Sequence, residues 1–333
     1  MTIRLKPLSQ QTIVITGASS GIGLATAREA ARRGARVVLA SRNENVLAQT
    51  VHQIEQSGGH AIYIVTDVSQ RDDIDRLAEE TIAHFGGFDT WVNNAGIGLW
   101  GRLDDVSDTD HRQLFDVNFW GVVYGSTTAL RQLRQRGGGA LINLGSVASD
   151  VAFPLQGMYS TTKHAVKSFT EALRRELRDQ NIPVSVTLIQ PAAIGTPFPM
   201  HAKNYTQEEA RLPQPLYAPE DVARTILLAA EHPRRALYVG GAGNLMGAFS
   251  RHTPGLVDKT SSYMGRSQLK KQPKQPRPDS LWQAGADGDV RAGQGFIRRS
   301  IYTAAMVNPL AKMAVASLAG AALGYAIWKR MNS

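Results

Sequence analysis

Tyr159 and Lys163 stand four residues apart in YSTTK, a spacing that sets both side chains on one helical face about 6 Å apart along the axis. An ammonium near a phenol favours the phenolate and lowers a tyrosine pKa from about 10 toward the working range. Such a phenol serves as the acid for an alkoxide during ketone reduction and as the base in the reverse reaction. Ser146, thirteen residues before the tyrosine, offers a hydroxyl to hold a substrate carbonyl. Ser149, in the same polar string GSVAS, competes for that role. Asn118 lies in DVNFWGVV, where asparagine is a poor helix former; exposure, a local hydrogen bond or a water held beside Lys163 would each account for it.

A second group of residues is suited to phosphates. Gly17, Gly21 and Gly23 lie in TGASSGIG, directly after an apolar run and at the opening of a helical pattern. Glycine permits the tight turn and close backbone approach, and free amides at a helix start receive pyrophosphate oxygens. The second apolar run ends at Ser41-Arg42, where a carboxylate would hold the ribose diol of NAD. Neutral Ser41 and the Arg42 guanidinium instead favour the 2′-phosphate of NADP, the alternative for Arg42 being a solvated surface charge. Asp67, beside Val68, either accepts from an adenine amino group or caps the helix that begins near Arg71. Asn93-Asn94-Ala95-Gly96 ends the fourth apolar run, at the sheet edge where open α/β folds bind ligands.

The elements that must position these groups alternate. Apolar strand patterns at 11–16, 36–40, 61–65, 90–93, 140–144, 184–189 and 236–240 are separated by helical patterns, including 107–135 and 159–179. Continuously apolar strands between amphipathic helices imply a parallel sheet covered on both faces, an α/β doubly wound Rossmann-like fold of about seven strands. The expected organisation is a catalytic domain at 1–250, a basic Pro- and Gly-containing linker-like extension at 251–300, and an apolar Ala-rich helical segment at 301–333.

The chain has 333 residues, with 43% apolar and 20% charged, which excludes a wholly disordered or many-span membrane protein. It has no cysteine, so disulfides, thiolate metal sites and cysteine nucleophiles are excluded, and no metal site is expected. Of the net charge of +9, none resides in residues 1–250, which carry 24 basic and 24 acidic residues, whereas 251–333 carry 13 and 4. A neutral body and a tail without interleaved aromatics weigh against nucleic acid as a partner. Leu310 to Trp328 is a 19-residue stretch with Lys312 as its only charge, long enough to reach a membrane or to dock as a helix on protein. The opening MTIRLKPLSQQ lacks the apolar run of a secretory signal, so a cytoplasmic location is expected, with membrane association through the C-terminal segment as an added possibility.

Taken together, the sequence resembles the short-chain dehydrogenase/reductase family over roughly residues 9–240. TGASSGIG at 16–23, NNAG at 93–96 and YSTTK at 159–163 are similar to its motifs. Asn118, Ser146, Tyr159 and Lys163 match its catalytic tetrad. The resemblance implies hydride transfer between a nicotinamide and a carbonyl or secondary alcohol, with NADP (NADPH) as cofactor and NAD less favoured. It also implies Tyr159 as acid/base, Ser146 polarising the oxygen, Lys163 on the nicotinamide ribose and Asn118 holding a relay water. Cofactor contacts are implied for Gly17, Ser19, Ser20, Gly21, Ile22, Gly23, Ser41, Arg42, Asp67, Val68, Asn94, Ala95, Gly96, Tyr159, Lys163, Pro191, Ile194 and Thr196. Pro191-Ala192 departs from the Pro-Gly common in the family, so a locally different backbone is expected there. Candidate substrate walls, Gly98 to Trp100, Val151 to Leu155 and 198–216, are mostly apolar. A hydrophobic small-molecule carbonyl or alcohol substrate and a homodimer or homotetramer follow as expectations. The alternative is a catalytically idle nucleotide-binding scaffold whose tail contacts a membrane or a partner protein.

Overall fold

The structure is a computed structural model and describes residues 3–285, 288–291, 293, 297–300 and 302–304. From the N-terminus come β1 (Thr12–Thr16), α1 (Gly21–Arg32), β2 (Arg36–Ser41), α2 (Glu44–Gln56), β3 (His60–Val65), α3 (Arg71–Phe85), β4 (Thr90–Asn93) and the short β5 (Leu99–Trp100). They are followed by α4 (Asp108–Phe115), α5 (Gly121–Gln135), β6 (Gly139–Leu144), α6 (Gly157–Asp179), β7 (Val184–Pro191) and the one-turn α7 (Phe198–His201). Short strands β8 (Lys203–Asn204), β9 (Glu208–Ala210) and β10 (Leu216–Tyr217) precede α8 (Pro219–Glu231), β11 (Ala236–Val239) and α9 (Gly241–His252). Beyond them lie α10 (Pro254–Lys259), α11 (Ser261–Ser267), β12 (Leu269–Pro273) and β13 (Ile297–Arg298).

Seven strands form one sheet in the order β11-β7-β6-β4-β1-β2-β3, all parallel. The order reverses between β1 and β4, and that switch point opens a crevice at the carboxyl ends of the strands. β1 (TIVIT) and β7 (VSVTLIQP) are buried along their whole length, Ser185, Thr187 and Gln190 of β7 included, as strands covered on both faces are. Two apolar clusters cover the faces: Ile13, Leu39 and Ile226 belong to one, Val14, Trp91 and Leu141 to the other. Asn43 starts α2 by accepting from Val46 N at 3.3 Å, and Ser107 starts α4 by accepting from Asp110 N at 3.2 Å.

The helical interval 107–135 is not one continuous α-helix. A π-turn at Asp116–Trp120 separates α4 from α5 and contains Asn118. The wider turn is stabilised by a long-range contact, since the Asn118 amide clamps both backbone groups of Ile97.

The extension differs more from its linker-like composition. β12 pairs antiparallel with β9, and β13 pairs parallel with β10. Buried Glu209 on β9 accepts from Gln275 N and from the Arg277 guanidinium, both at 2.6 Å. Leu281 is 1% exposed, and the Trp282 indole donates to Asp110 on α4 at 2.8 Å. Backbone pairing with short edge strands and one apolar anchor therefore secure a segment that has few large apolar residues of its own. The Ala-rich stretch from Leu310 to Trp328, expected as an anchor or docking helix, lies outside the described residues. Among the described residues, no helix is long and apolar enough to cross a membrane.

Candidate active site

The crevice at the carboxyl edge holds a cavity of about 340 Å³, lined from Arg42 at one end to Phe198 at the other. Its floor is the glycine loop between β1 and α1. Gly17 has φ 66°, and a Cβ there would lie 2.8 Å from Ala95 Cα; a Cβ on Gly23 would collide with Gly17 O. Only glycine allows that left-handed turn and that close approach. Asn94 fixes the loop by donating to Thr16 O at 2.9 Å and Gly17 O at 3.2 Å. Gly17, Ser19, Ser20, Gly21 and Ile22 line the cavity. Gly23 does not, and its place is behind the loop, in the packing of the turn.

Ser41, Arg42, Asp67 and Val68 line the end below β2 and β3. The Arg42 guanidinium donates from Nη2 to Ser280 O at 2.6 Å, while its Nη1 is buried without a hydrogen-bond partner. Arg42 is thus not a solvated surface charge. Asp67 Oδ1 accepts from Ser69 N at 3.0 Å and Ser69 Oγ at 2.8 Å. It does not cap α3, whose N-cap is Gln70.

The other end gathers three of the four residues proposed for chemistry, with the fourth behind them. Tyr159 and Lys163 lie on α6, with Lys163 Nζ 5.8 Å from the centre of the Tyr159 ring. Lys163 Nζ donates to Leu144 O at 3.0 Å. The Ser146 hydroxyl, just past β6, accepts from Ala148 N at 3.1 Å and lies near enough to the Tyr159 hydroxyl to favour its ionised form. Ser149 does not line the cavity: its buried hydroxyl accepts from Ser146 N at 3.1 Å. That bond separates the two serines, one facing the cavity and one supporting it. Asn118 is fully buried and lies behind the wall, its Oδ1 accepting from Ile97 N at 2.8 Å and its Nδ2 donating to Ile97 O at 3.0 Å. Its side chain therefore holds the loop after β4, where Ala95 and Gly96 line the cavity.

Burial pushes the Tyr159 phenol up to about 12, against a smaller opposing pull from the Ser146 hydroxyl. Burial likewise brings the Lys163 ammonium down to about 8. The expectation that Lys163 lowers the tyrosine pKa is thus not met. Its ammonium donates to the Leu144 carbonyl, and burial of the phenol sets the direction.

Pro191, Ile194 and Thr196 line the wall beside β7, and Thr196 packs against Gly21. Ala192 does not have a positive φ, and its N–H donates to Val239 O at 2.8 Å. An ordinary backbone therefore serves where glycine is common, and the substitution leaves the turn unstrained. The substrate walls differ from expectation in part. Leu99 and Trp100 are core residues, with Trp100 packed against Phe198 at a ring separation of 5.8 Å. Phe153, Phe198 and Leu212 do line the cavity, joined by Met246 and Gln268 from beyond β11. Gln156 Nε2 and Gln268 Oε1 are buried without partners at that wall.

The contributions of Gln268, Ser280, Ala284 and Gly285 to the cavity are not visible in local sequence motifs. The one signal is the isolated Leu281-Trp282 pair in a polar run, which marks a point where the extension must return to the body.

A family model described as short chain dehydrogenase matches residues 11–208. An uncharacterized oxidoreductase of Bacillus subtilis, YxnA, is 43% identical over 319 residues, covering 94% of this chain and 90% of that protein. That similarity necessarily reaches into the extension. A diacetyl reductase of the (S)-acetoin forming kind, from Staphylococcus epidermidis, is 33% identical over 53% of this chain and 68% of its own length. Among solved structures, a short chain dehydrogenase/reductase from Burkholderia phymatum in complex with NAD has a TM-score of 0.68 and 29% identity, over 77% of this chain and 97% of that one. An alcohol dehydrogenase from the archaeon Thermococcus sibiricus, complexed with 5-hydroxy-NADP, has a TM-score of 0.60 and 28% identity, over 69% of this chain and 94% of that one. A family match over more than half of the chain, with near full-length similarity to an oxidoreductase on the same fold, establishes that the chain belongs to the short-chain dehydrogenase/reductase family and is a nicotinamide-dependent oxidoreductase.

Proposed function

We propose that the protein is an NADP-dependent oxidoreductase acting on a carbonyl or secondary alcohol carried by a largely hydrophobic small molecule. The observation that carries this reading is the Tyr159–Ser146 hydroxyl pair, with the Lys163 ammonium beneath it, at the wall of the cavity that the glycine loop floors. The residues fit the cofactor: the loop leaves a cradle that side chains would fill, and Arg42 Nη1 is a buried cationic donor without a partner. When bound, the dinucleotide supplies or accepts the hydride at its nicotinamide.

In the direction of reduction, Ser146 donates to the substrate oxygen and orients the carbonyl. Tyr159, fully protonated at neutral pH, gives its proton to that oxygen as negative charge develops on it. Lys163, still mostly charged at pH 7, stabilises the phenolate left behind and offers donors to the nicotinamide ribose. Asn118 keeps the Ile97 loop in place and is the residue beside which a relay water is proposed. Gly17, Ser19, Ser20 and Ile22 take the pyrophosphate, Gly21, whose N–H donates to Asp289 O, lines the cradle without a side chain, and Gly23 supports the turn. Asp67 and Val68 meet the adenine, Asn94, Ala95 and Gly96 the ribose side, and Pro191, Ile194 and Thr196 the carboxamide. Ser41 and Arg42 favour the 2′-phosphate of NADP over the bare diol of NAD.

The substrate body is apolar, matched by Phe153, Phe198 and Leu212, and the unpaired Gln156 Nε2 and Gln268 Oε1 suit a second hydrogen-bonding group on it. The likeness to a diacetyl reductase agrees with carbonyl reduction. A screen of NADPH consumption over ketones, aldehydes and quinones tests this reading. The expected result is turnover favouring apolar ketones with a second polar group; no consumption with any member, despite NADPH binding, contradicts it.

A homo-oligomer is proposed through the face of α4, the π-turn and α5. Phe115, Phe119, Trp120 and Tyr124 form an aromatic ladder with ring separations of 5.9, 5.5 and 5.8 Å, and Trp120 is 43% exposed. Aromatic exposure of this kind marks association surfaces. Light scattering should give a dimer or tetramer that Trp120→Glu dissociates; a 36 kDa species at all micromolar concentrations rejects the assembly.

A further inference from the structure

We propose that the extension completes the cofactor site, and that the Ser280 hydroxyl is a second ligand, beside Arg42, for the 2′-phosphate of the dinucleotide. The inference rests on the NADP reading above and names a residue outside the segment that carries the family's motifs.

Two donors lie unpaired at one end of the cavity. Arg42 Nη1 and Ser280 Oγ are both buried without a hydrogen-bond partner, and both residues line the cavity. Ser280 is 6% exposed. The two residues are also joined, because Arg42 Nη2 donates to Ser280 O at 2.6 Å. The guanidinium is thereby fixed on the Ser280 backbone by one arm, and its other arm and the neighbouring hydroxyl are without acceptors. A phosphate offers several acceptor oxygens and charge to such a pair, whereas a ribose diol offers two weak acceptors and no charge.

Ser280 is held in place from both sides. Its N–H donates to His201 O at 2.8 Å. Leu281 is buried in the core beside it, and Gln113 Nε2 donates to Leu281 O at 3.2 Å. The Trp282 indole then anchors the chain on Asp110, whose carboxylate also accepts from Lys203 at 2.6 Å and Tyr205 at 2.5 Å. Gly285 returns to the same point: Asn43 Nδ2 donates to its carbonyl at 3.2 Å, and a Cβ there would collide with Ser280 Oγ. Farther on, Gly288 N donates to Ser19 O and Asp289 O accepts from Gly21 N, both at 2.9 Å. The extension is therefore bonded to the phosphate-binding loop as well as to Arg42, and it forms one rim of the dinucleotide site.

The test measures dissociation constants by calorimetry for NADPH, NADH, adenosine 2′,5′-bisphosphate and 5′-AMP on the full-length protein and on Ser280→Ala. Loss of one hydrogen bond to a charged phosphate should weaken NADPH and the bisphosphate about 10-fold. NADH and 5′-AMP should change less than about twofold, with the melting temperature unaltered. Gly285→Ala, which displaces the hydroxyl without removing it, should reproduce the selective loss. Equal losses for phosphorylated and unphosphorylated ligands, or no loss at all, overturn the role of Ser280. The wild-type protein separates the two readings. If it prefers NADPH and Arg42→Ala abolishes that preference while Ser280→Ala does not, the Ser280 assignment alone fails. If wild type binds NADH as tightly as NADPH, the NADP reading fails and takes this proposal with it.

Discussion

The two ends of the cavity are built differently. At the end proposed for catalysis, Ser146, Tyr159, Lys163 and Asn118 all come from the family-matched body, and the side chains of Ser146, Lys163 and Asn118 hydrogen-bond within it. At the adenosine end, Arg42 from the body meets Ser280 from the extension, and each has a polar atom without a partner. The difference teaches that the groups proposed for chemistry are held in advance by the sheet and α6, whereas the groups proposed to meet the phosphate are brought together by two distant parts of the chain.

The largest expected effect breaks the catalytic end alone. Tyr159→Phe should reduce turnover by at least about 100-fold, the usual scale for loss of a general acid, while NADPH binding stays nearly intact. Near-normal turnover would remove Tyr159 from the chemistry. Stability provides the next contrast. Leu39, fully buried in the sheet core, should cost about 2–5 kcal/mol of global stability on truncation to Ala. Leu281→Ala should instead loosen the extension locally, with a smaller change in thermal melting and a clear loss of NADPH affinity. Equal melting losses without an affinity change would mean that the extension folds with the body and is indifferent to cofactor.

Arg42→Ala tests the adenosine end directly. It should weaken NADPH by about 1.5–3 kcal/mol and NADH much less, read by titrating both cofactors. Equal losses would remove the phosphate from its role. The smallest effect concerns pH. Folded Lys163 releases its proton near 8, and the unfolded chain does so near 10.5. Between those values the unfolded state binds more protons, so this side chain makes the protein more stable as pH rises through the window. Lys163→Met should therefore gain most over wild type below pH 8, by on the order of a few degrees in melting temperature, with the gain shrinking toward pH 10. A constant difference across that range would contradict the buried, depressed lysine.

Much of this was legible in the sequence because the signals are local. Glycines after an apolar run, NNAG after another, and a tyrosine four residues before a lysine identify a loop, an edge and a helical face without any knowledge of tertiary contacts. The seven largely apolar runs likewise yield the doubly wound sheet, since most strands buried on both faces lack the alternation of a half-exposed strand, β7 with Ser185 and Thr187 being the exception. What was not legible depends on distant partners. The π-turn at Asn118 is tied to Ile97, and the tyrosine pKa is set by how deeply the phenol is enclosed. The extension reads as a linker because its strands are short and pair with β9 and β10, about sixty to eighty residues earlier. Ala192 shows the reverse case, a departure from the common motif that the backbone accommodates without strain.

The measurement that bears most directly on the central claim follows the hydride itself. NADPH deuterated at the nicotinamide C4 is incubated with the full-length protein and the apolar ketone panel, and the products are examined by mass spectrometry and NMR. Deuterium should appear on the carbinol carbon of the product, and its transfer should be slowed at least about 100-fold by Tyr159→Phe. Tight NADPH binding with no deuterium in any product would contradict the account and leave the chain as a nucleotide-binding scaffold.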